Sequence, residues 1–285
     1  DRGYSFENQL NLNSGNILWK KVIDYQLPEK QAAVPMVIMS PTIINDGRKL
    51  HIAAQHISYM SSPLMQNKNT LRNQRQKSIE FRRFFKDQDG DSLSFTSALR
   101  MSATFPYITP NVTLPSNPEM EVMDAGLSDN FGLVDAARFL YVFKDWIAEN
   151  TSGVVFVSIR DSEKEREIER NLKNGIFEKI FNPIGSLYQS WDYLQDINND
   201  NLVDFAKGWF LNDIDVIDIM YTPRPKYWKI IQEKDIDAQQ LDEIYRLERA
   251  SLSWHLTTRE KESLKRTIFE PNNIAAIKRL QELLQ

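Results

Sequence analysis

Residues 121–159 constrain the fold more than any other stretch. Glu121-Val122-Met123-Asp124 reads as a brief strand that stops at Ala125-Gly126. Ser128 or Asp129 can then cap a helix whose apolar stripe is Leu133, Ala136, Ala137, Leu140, Phe143 and Ile147. Phe139, Tyr141, Val142 and Trp146 lie off that stripe, so the helix is apolar nearly all round and is expected to be covered on both sides. After Asn150-Thr151-Ser152-Gly153 comes Val154-Val155-Phe156-Val157-Ser158-Ile159, a continuous β-branched and aromatic run. Such a run predicts a strand buried on both faces of a parallel sheet. Strand, helix and strand in that order predict a βαβ unit.

Elsewhere the elements are shorter. Pro35 to Ser40 and Leu50 to Ala54 read as two strands joined through a turn at Asn45-Asp46-Gly47, and Val216 to Tyr221 as another strand ending before Pro223. Residues 161–173 interleave five acids with four bases, the pattern of a solvated helix or loop. From Asp237 onward the period is helical, broken at Pro271-Asn272-Asn273. The reading is an α/β body over 1–230 with a helical cap or extension over 231–285.

Composition removes several function classes. With 285 residues, 41% of them apolar, the chain has material for a sizeable core, which excludes disorder as its main state. A net charge of −4 gives no overall basic field, so nucleic acid is not expected as a partner. Zero cysteines exclude disulfides, thiolate nucleophiles, iron–sulfur clusters and cysteine-bound zinc, and leave localisation open. No window offers the roughly 18 uninterrupted apolar residues of a membrane span. The start at Asp1-Arg2-Gly3 has no signal-peptide pattern and reads as an internal cut in a longer protein.

The candidate chemistry lies between Ser97 and Ala136. An Asp at the carboxyl end of a strand, followed by two very small residues, is a carboxylate in a tight turn that a substrate can approach closely. Equally, Asp124 could merely cap that turn. The order Ser97-Ala98-x-x-x-Ser102-Ala103-x-x-Pro106, then Pro110, then Asp124-Ala125-Gly126, then Asn130 resembles the later conserved blocks of the patatin-like phospholipases, lipid acyl hydrolases with a Ser–Asp dyad. The resemblance extends over most of residues 1–160. It implies a three-layer α/β/α domain with a mostly parallel sheet, Asp124 as the dyad aspartate, and a substrate pocket lined by Ser102, Ala103, Pro106, Ala125, Gly126 and Asn130. It implies no cofactor. The family usually carries Asp-Gly-Gly or Asp-Gly-Ala, from which Asp124-Ala125-Gly126 departs mildly.

The family's Gly-x-Ser-x-Gly elbow, whose glycines permit a strained strand-to-helix turn, is absent: none of the ten glycines lies four residues from another. Nor is there a glycine-rich segment to bind an oxyanion. The nucleophilic serine is therefore expected upstream of Asp1, and the chain by itself is expected to be inactive. The rival reading is a non-catalytic patatin-like scaffold or membrane-surface module. A nucleotide-binding α/β domain is disfavoured because no phosphate-cradling glycine loop exists.

Other constellations are weaker. Ser40 with His51 or His56 and Asp46 can be posed as a triad, although no sharp turn presents Ser40. The three histidines have no zinc spacing and read as surface or packing residues. Asp87 to Asp91 and Asp196 to Asp200 resemble the start of a calcium loop, but Ala98 and Lys207 stand where a bidentate Glu belongs, so both read as turns and caps. Lys68, Arg72, Arg75, Lys77, Arg82, Arg83 and Lys86 form the one locally basic stretch, a candidate contact for anionic headgroups or else a solvated loop.

Overall fold

A computed structural model describes residues 2–62, 76–104, 110–161, 193–208, 210, 213–223, 240, 250 and 256–285. These residues form two compact units, Asp1–Phe143 and Lys144–Gln285.

The first unit is built on a six-stranded sheet. Its strands are β1 (Ile38–Met39), β2 (Thr42–Ile43), β3 (Lys49–Ala53), β4 (Ser78–Glu80), β5 (Val112–Leu114) and β6 (Met120–Met123). They run in the order β1-β3-β2-β6-β5, with β4 on the other side of β3. Only β3 and β4 are parallel; β1 with β3, β2 with β3, β2 with β6 and β5 with β6 are all antiparallel.

The mostly parallel sheet expected of this chain is therefore corrected to a mixed α/β architecture with a predominantly antiparallel sheet. Connection length is the reason, since a parallel pair needs a crossover of about a dozen residues or more. The links β2 to β3 and β5 to β6 are far too short for that. Between β2 and β3 the chain reverses through Gly47 at φ 76, whose N–H donates to Ile43 O at 2.8 Å.

Strand β3 divides the unit into two faces. Side chains alternate across a strand, and all five residues of β3 are buried. Leu50 and Ile52 join Val22, Met39, Ile43, Ile79, Phe81, Phe85, Ala98, Met101 and Val122 in the main apolar core. Ala53, on the opposite face, packs with Ile57, Met60, Ile38, Tyr59 and Phe139. Lys49 and His51 share that second face by alternation, so the sheet buries two polar side chains there. Helices α1 (Arg2–Asn13), α2 (Gln26–Lys30), α3 (Ser58–Ser61), α4 (Phe81–Phe84), α5 (Phe95–Ser102) and α6 (Gly126–Asp129) surround the sheet, and α7 (Leu133–Asn150) follows. Glu7 ties α1 to α5, accepting from Arg100 Nε at 2.5 Å and Ser97 Oγ at 2.8 Å.

The all-round apolar helix is α7, but only Leu133, Ala137 and Leu140 are buried, and Trp146 is 61% exposed. Expected to be covered on both sides, it is buried along one stripe by the described residues.

In the second unit, β7 (Gly153–Arg160) pairs in parallel with β8 (Asp213–Met220). Helices α8 (193–208), α9 (Thr258–Thr267) and α10 (Pro271–Leu283) accompany them. Because β6 is already paired with β2 and β5 while β7 pairs with β8, the predicted βαβ unit does not form. Nor do the described residues bury β7 on both faces, since Ile159 is 79% exposed.

The Asp196 to Asp200 stretch is helical, not a loop, and Asp196 pairs with buried Arg160. Asp87 to Asp91 does form turns, with Asp89 left-handed at φ 55 between two short 3₁₀ segments. Asn273, 1% exposed, donates to Met220 O at 2.8 Å and Thr267 O at 2.7 Å and accepts from Met220 N at 3.0 Å, docking α10 on the end of β8. Helix α9 starts in a capping box: Thr257 N donates to Glu260 Oε2 at 2.7 Å and Glu260 N to Thr257 Oγ1 at 3.3 Å. The charged segment foreseen over 161–173 lies, apart from Asp161, outside the described residues.

Candidate functional site

Asp124 is the first residue past β6, and the end of α5 holds it there. Ser94 Oγ caps α5 by accepting from Ser97 N at 3.1 Å, and buried Thr96, Ala98 and Met101 seat the helix on the core. The last carbonyls of a helix lack intrahelical partners. Here the carbonyls at and just past its end are used in trans: Ala125 N donates to Ser102 O at 3.2 Å and Asp124 N to Thr104 O at 2.9 Å. The two sequence blocks, Ser102-Ala103 and Asp124-Ala125-Gly126, are thereby stitched together through their backbones.

The Asp124 side chain folds back on its own turn, Oδ1 accepting from Gly126 N at 2.6 Å. Burial disfavours its charged form and raises its pKa above the ordinary carboxylate value, and the Gly126 hydrogen bond opposes that rise only in part. The result is a half-buried carboxylate of enhanced basicity. Gly126 explains the small residue. A Cβ there would stand 2.7 Å from Asn130 Oδ1 and 2.9 Å from Asp124 Oδ1, so the side chains of Asp124 and Asn130 close around the missing atom. Ala125, where the patatin-like pattern usually has glycine, has φ −61 and ψ −31, a helical conformation open to any residue. The departure from Asp-Gly-Gly therefore carries no backbone strain.

Of the other expected pocket residues, Ser102 directs its hydroxyl into its own helix, donating to Ala98 O at 3.2 Å, so it contributes its carbonyl to the turn and not its side chain. Ala103 caps α5. Asn130 closes α6 beside Gly126. Pro106 lies outside the described residues. The apolar cleft of about 100 Å³ among Val22, Tyr25, Val34, Pro35, Val37, Met39, Ala54 and Phe95 includes none of these positions.

Gly126→Ala isolates the geometry. The two atoms in the way are ends of side chains that can move, so the thermal midpoint should stay near wild type. The Asp124 carboxylate should be displaced, and misplacement on the order of 1 Å can cost about 10²-fold in rate. Ester turnover and a thermal melt on the same variant check both halves.

Behind the turn, the polar face of β3 carries a buried ionic cluster. Lys49 Nζ lies 2.8 Å from Asp129 Oδ2 and 2.9 Å from Asp135 Oδ1. Asp135 Oδ2 accepts from Ser40 Oγ at 2.6 Å, Asp135 Oδ1 is 3.2 Å from His51 Nε2, and Asp135 N donates to Asp129 Oδ2 at 3.2 Å. Desolvation pushes the Asp135 pKa upward. The His51 hydrogen bond, the Lys49 and His51 charges and the Ser40 hydroxyl outweigh it and hold the carboxyl well below the ordinary range. The Lys49 ammonium occupies the place between two carboxylates that a metal cation would take.

This cluster corrects the Ser40–His51–Asp46 triad. Ser40 donates to a carboxylate and not to an imidazole, while Asp46 pairs with Arg48 Nε at 2.6 Å in the β2–β3 turn. His51, 1% exposed, faces Asp135; His56 pairs with Glu80 instead. Comparisons with protein-family models, with curated proteins and with solved structures each returned no match.

Sequence reasoning missed Lys49, Asp129 and Asp135 as a group. The signal was present in Lys49-Leu50-His51-Ile52-Ala53, where strict alternation puts Lys49 and His51 on one face. The strand was read from Leu50, which left that face unread. A lysine and a histidine on a buried face need carboxylate partners.

Proposed function

We propose that this chain supplies the carboxylate of a serine–aspartate acyl hydrolase acting on a lipid or other acyl ester, with the nucleophilic serine outside residues 1–285. The observation that carries the proposal is the desolvated Asp124 at the end of β6, joined through Ala125 N and Ser102 O to the second block of the patatin-like pattern. Sheet topology lends nothing to it; the proposal rests on the turn and its neighbours.

In this scheme a serine hydroxyl gives its proton to Asp124 as its oxygen attacks the ester carbonyl. Asp124 returns the proton to the departing alcohol, and water then releases the acyl group from the serine by the same relay. Ionised Asp is a weak base in water, and partial burial moves its basicity toward the working range. Gly126 N–H fixes Oδ1, and among the described residues no hydrogen bond engages Oδ2, which is free to take the proton.

A peripheral contact with anionic lipid is proposed through exposed Lys77, Arg83 and Lys86. Arg82 drops out of that set, because its side chain is 8% exposed and pairs with Asp91 Oδ1 at 2.6 Å and with the Ala54 carbonyl. Lys68, Arg72 and Arg75 lie outside the described residues. No helix among the described residues is long and apolar enough to cross a membrane.

A fluorophosphonate probe tests the assignment. It should label one serine of the whole protein outside residues 1–285 and should fail to label this chain expressed alone. Whole protein that neither takes the label nor hydrolyses p-nitrophenyl esters would remove the hydrolase reading.

A further inference from the structure

The turn bearing Asp124 has little to hold it in place by itself. It continues into α6, a helix of four residues, and then into Gly132 at φ 68 before α7 begins. A helix that short is not self-sustaining in water. Its orientation must come from side-chain ties to the sheet, and there are two.

Thr42 provides the first, with Oγ1 3.0 Å from Asp124 O and 2.9 Å from Ser128 Oγ. Lys49 provides the second through Asp129, whose carboxylate also accepts the Asp135 N–H. The two ties are neighbours. Thr42 is paired with Lys49 on one side and with Met123 on the other, so Lys49, Thr42 and Met123 form one cross-strand row ending one residue before Asp124.

We infer that Lys49 and Asp129 are positioning residues for Asp124: the ammonium, anchored by Asp135, pulls α6 onto the sheet and fixes the direction in which the Asp124 carboxylate is presented. The inference rests on the hydrolase reading above. Lys49 and Asp129 do not touch the reacting atoms; they set the angle of the turn that does. Asp129 is the informative member, because it is the only cluster residue on α6. Asp135, Ser40 and His51 continue to hold Lys49 when the Asp129 charge is removed.

Asp129→Asn keeps the volume and an oxygen for the Asp135 N–H, and leaves the Lys49–Asp135 pair, so the protein should fold. Amide hydrogen exchange on this chain should accelerate about 10-fold from Asp124 to Asp129, with Leu50 to Ile52 in β3 unchanged. In the whole protein, kcat for p-nitrophenyl butyrate should fall about 10-fold or more with KM unchanged, because orientation and not ground-state binding is lost.

Thr42→Val cuts the neighbouring tie and should give the same pair of effects, which keeps the test decisive if Asp129→Asn fails to fold. An active enzyme whose exchange and kcat ignore both substitutions overturns the inference alone. A wild-type protein without esterase activity overturns the hydrolase reading and the inference together.

Discussion

Asp124→Asn in the whole protein should lower ester hydrolysis by about 10²–10⁴-fold, the usual contribution of a positioned general base, while the protein stays folded. Asparagine keeps an oxygen for Gly126 N–H and nearly the same volume, so the turn has no reason to open. It cannot accept the serine proton. The stability side has a definite sign. A carboxyl whose folded pKa is raised stabilises the fold fully below its unfolded value and loses that contribution as pH rises through the folded value.

Because burial raises Asp124 in this way, the neutral Asn variant should equal or exceed wild type in urea stability at pH 7 and converge with it in acid. The acid limb of wild-type kcat/KM should lie above the ordinary carboxylate range, since the base must be ionised to work. Full activity in Asp124→Asn would remove this residue from the mechanism. A large stability loss would mean that it serves the fold instead.

The second large effect is expected at Lys49. Lys49→Met removes the only ammonium between two carboxylates whose side chains are 2% and 14% exposed, Asp129 and Asp135. Stranding buried charge in this way costs about 3–5 kcal/mol, readable in urea melts at pH 7. The pH dependence should follow. In the wild type the depressed Asp135 pKa contributes stability that is present above the unfolded carboxyl value and is lost as pH falls through the folded one. Without Lys49 that contribution shrinks, so the wild-type and Lys49→Met curves should approach each other in acid. Adding Asp129→Asn to Lys49→Met should recover part of the loss, and simple additivity of the two substitutions would contradict the proposed pairing.

How much of this was legible in the sequence differs from element to element. The strand ending at Met123, the break at Ala125-Gly126 and the helix over the Leu133 to Leu140 stripe follow from period and small residues, and so does the pairing of the Ile38 and Ile52 segments. Sheet direction was not legible that way. The continuous run Val154 to Ile159 is parallel, as its composition suggests, but extending that direction to the short strands β1, β2, β5 and β6 ignored how few residues connect them. At the site, Asp124 and Gly126 stand out because chemistry and conformation both restrict them. The ionic cluster escaped notice because its partners are separated by 80 and more residues, and only the alternation along β3 hinted that something charged had to meet Lys49 and His51.

Asn273 has a consequence of a different kind. Its amide exchanges hydrogen bonds with both backbone groups of Met220, as a residue of an adjoining strand would. A side chain thus imitates a third strand at the rim of the β7–β8 ribbon and occupies the groups through which a foreign peptide could be recruited. Lateral growth of that ribbon into an aggregate is blocked at this end by one amide.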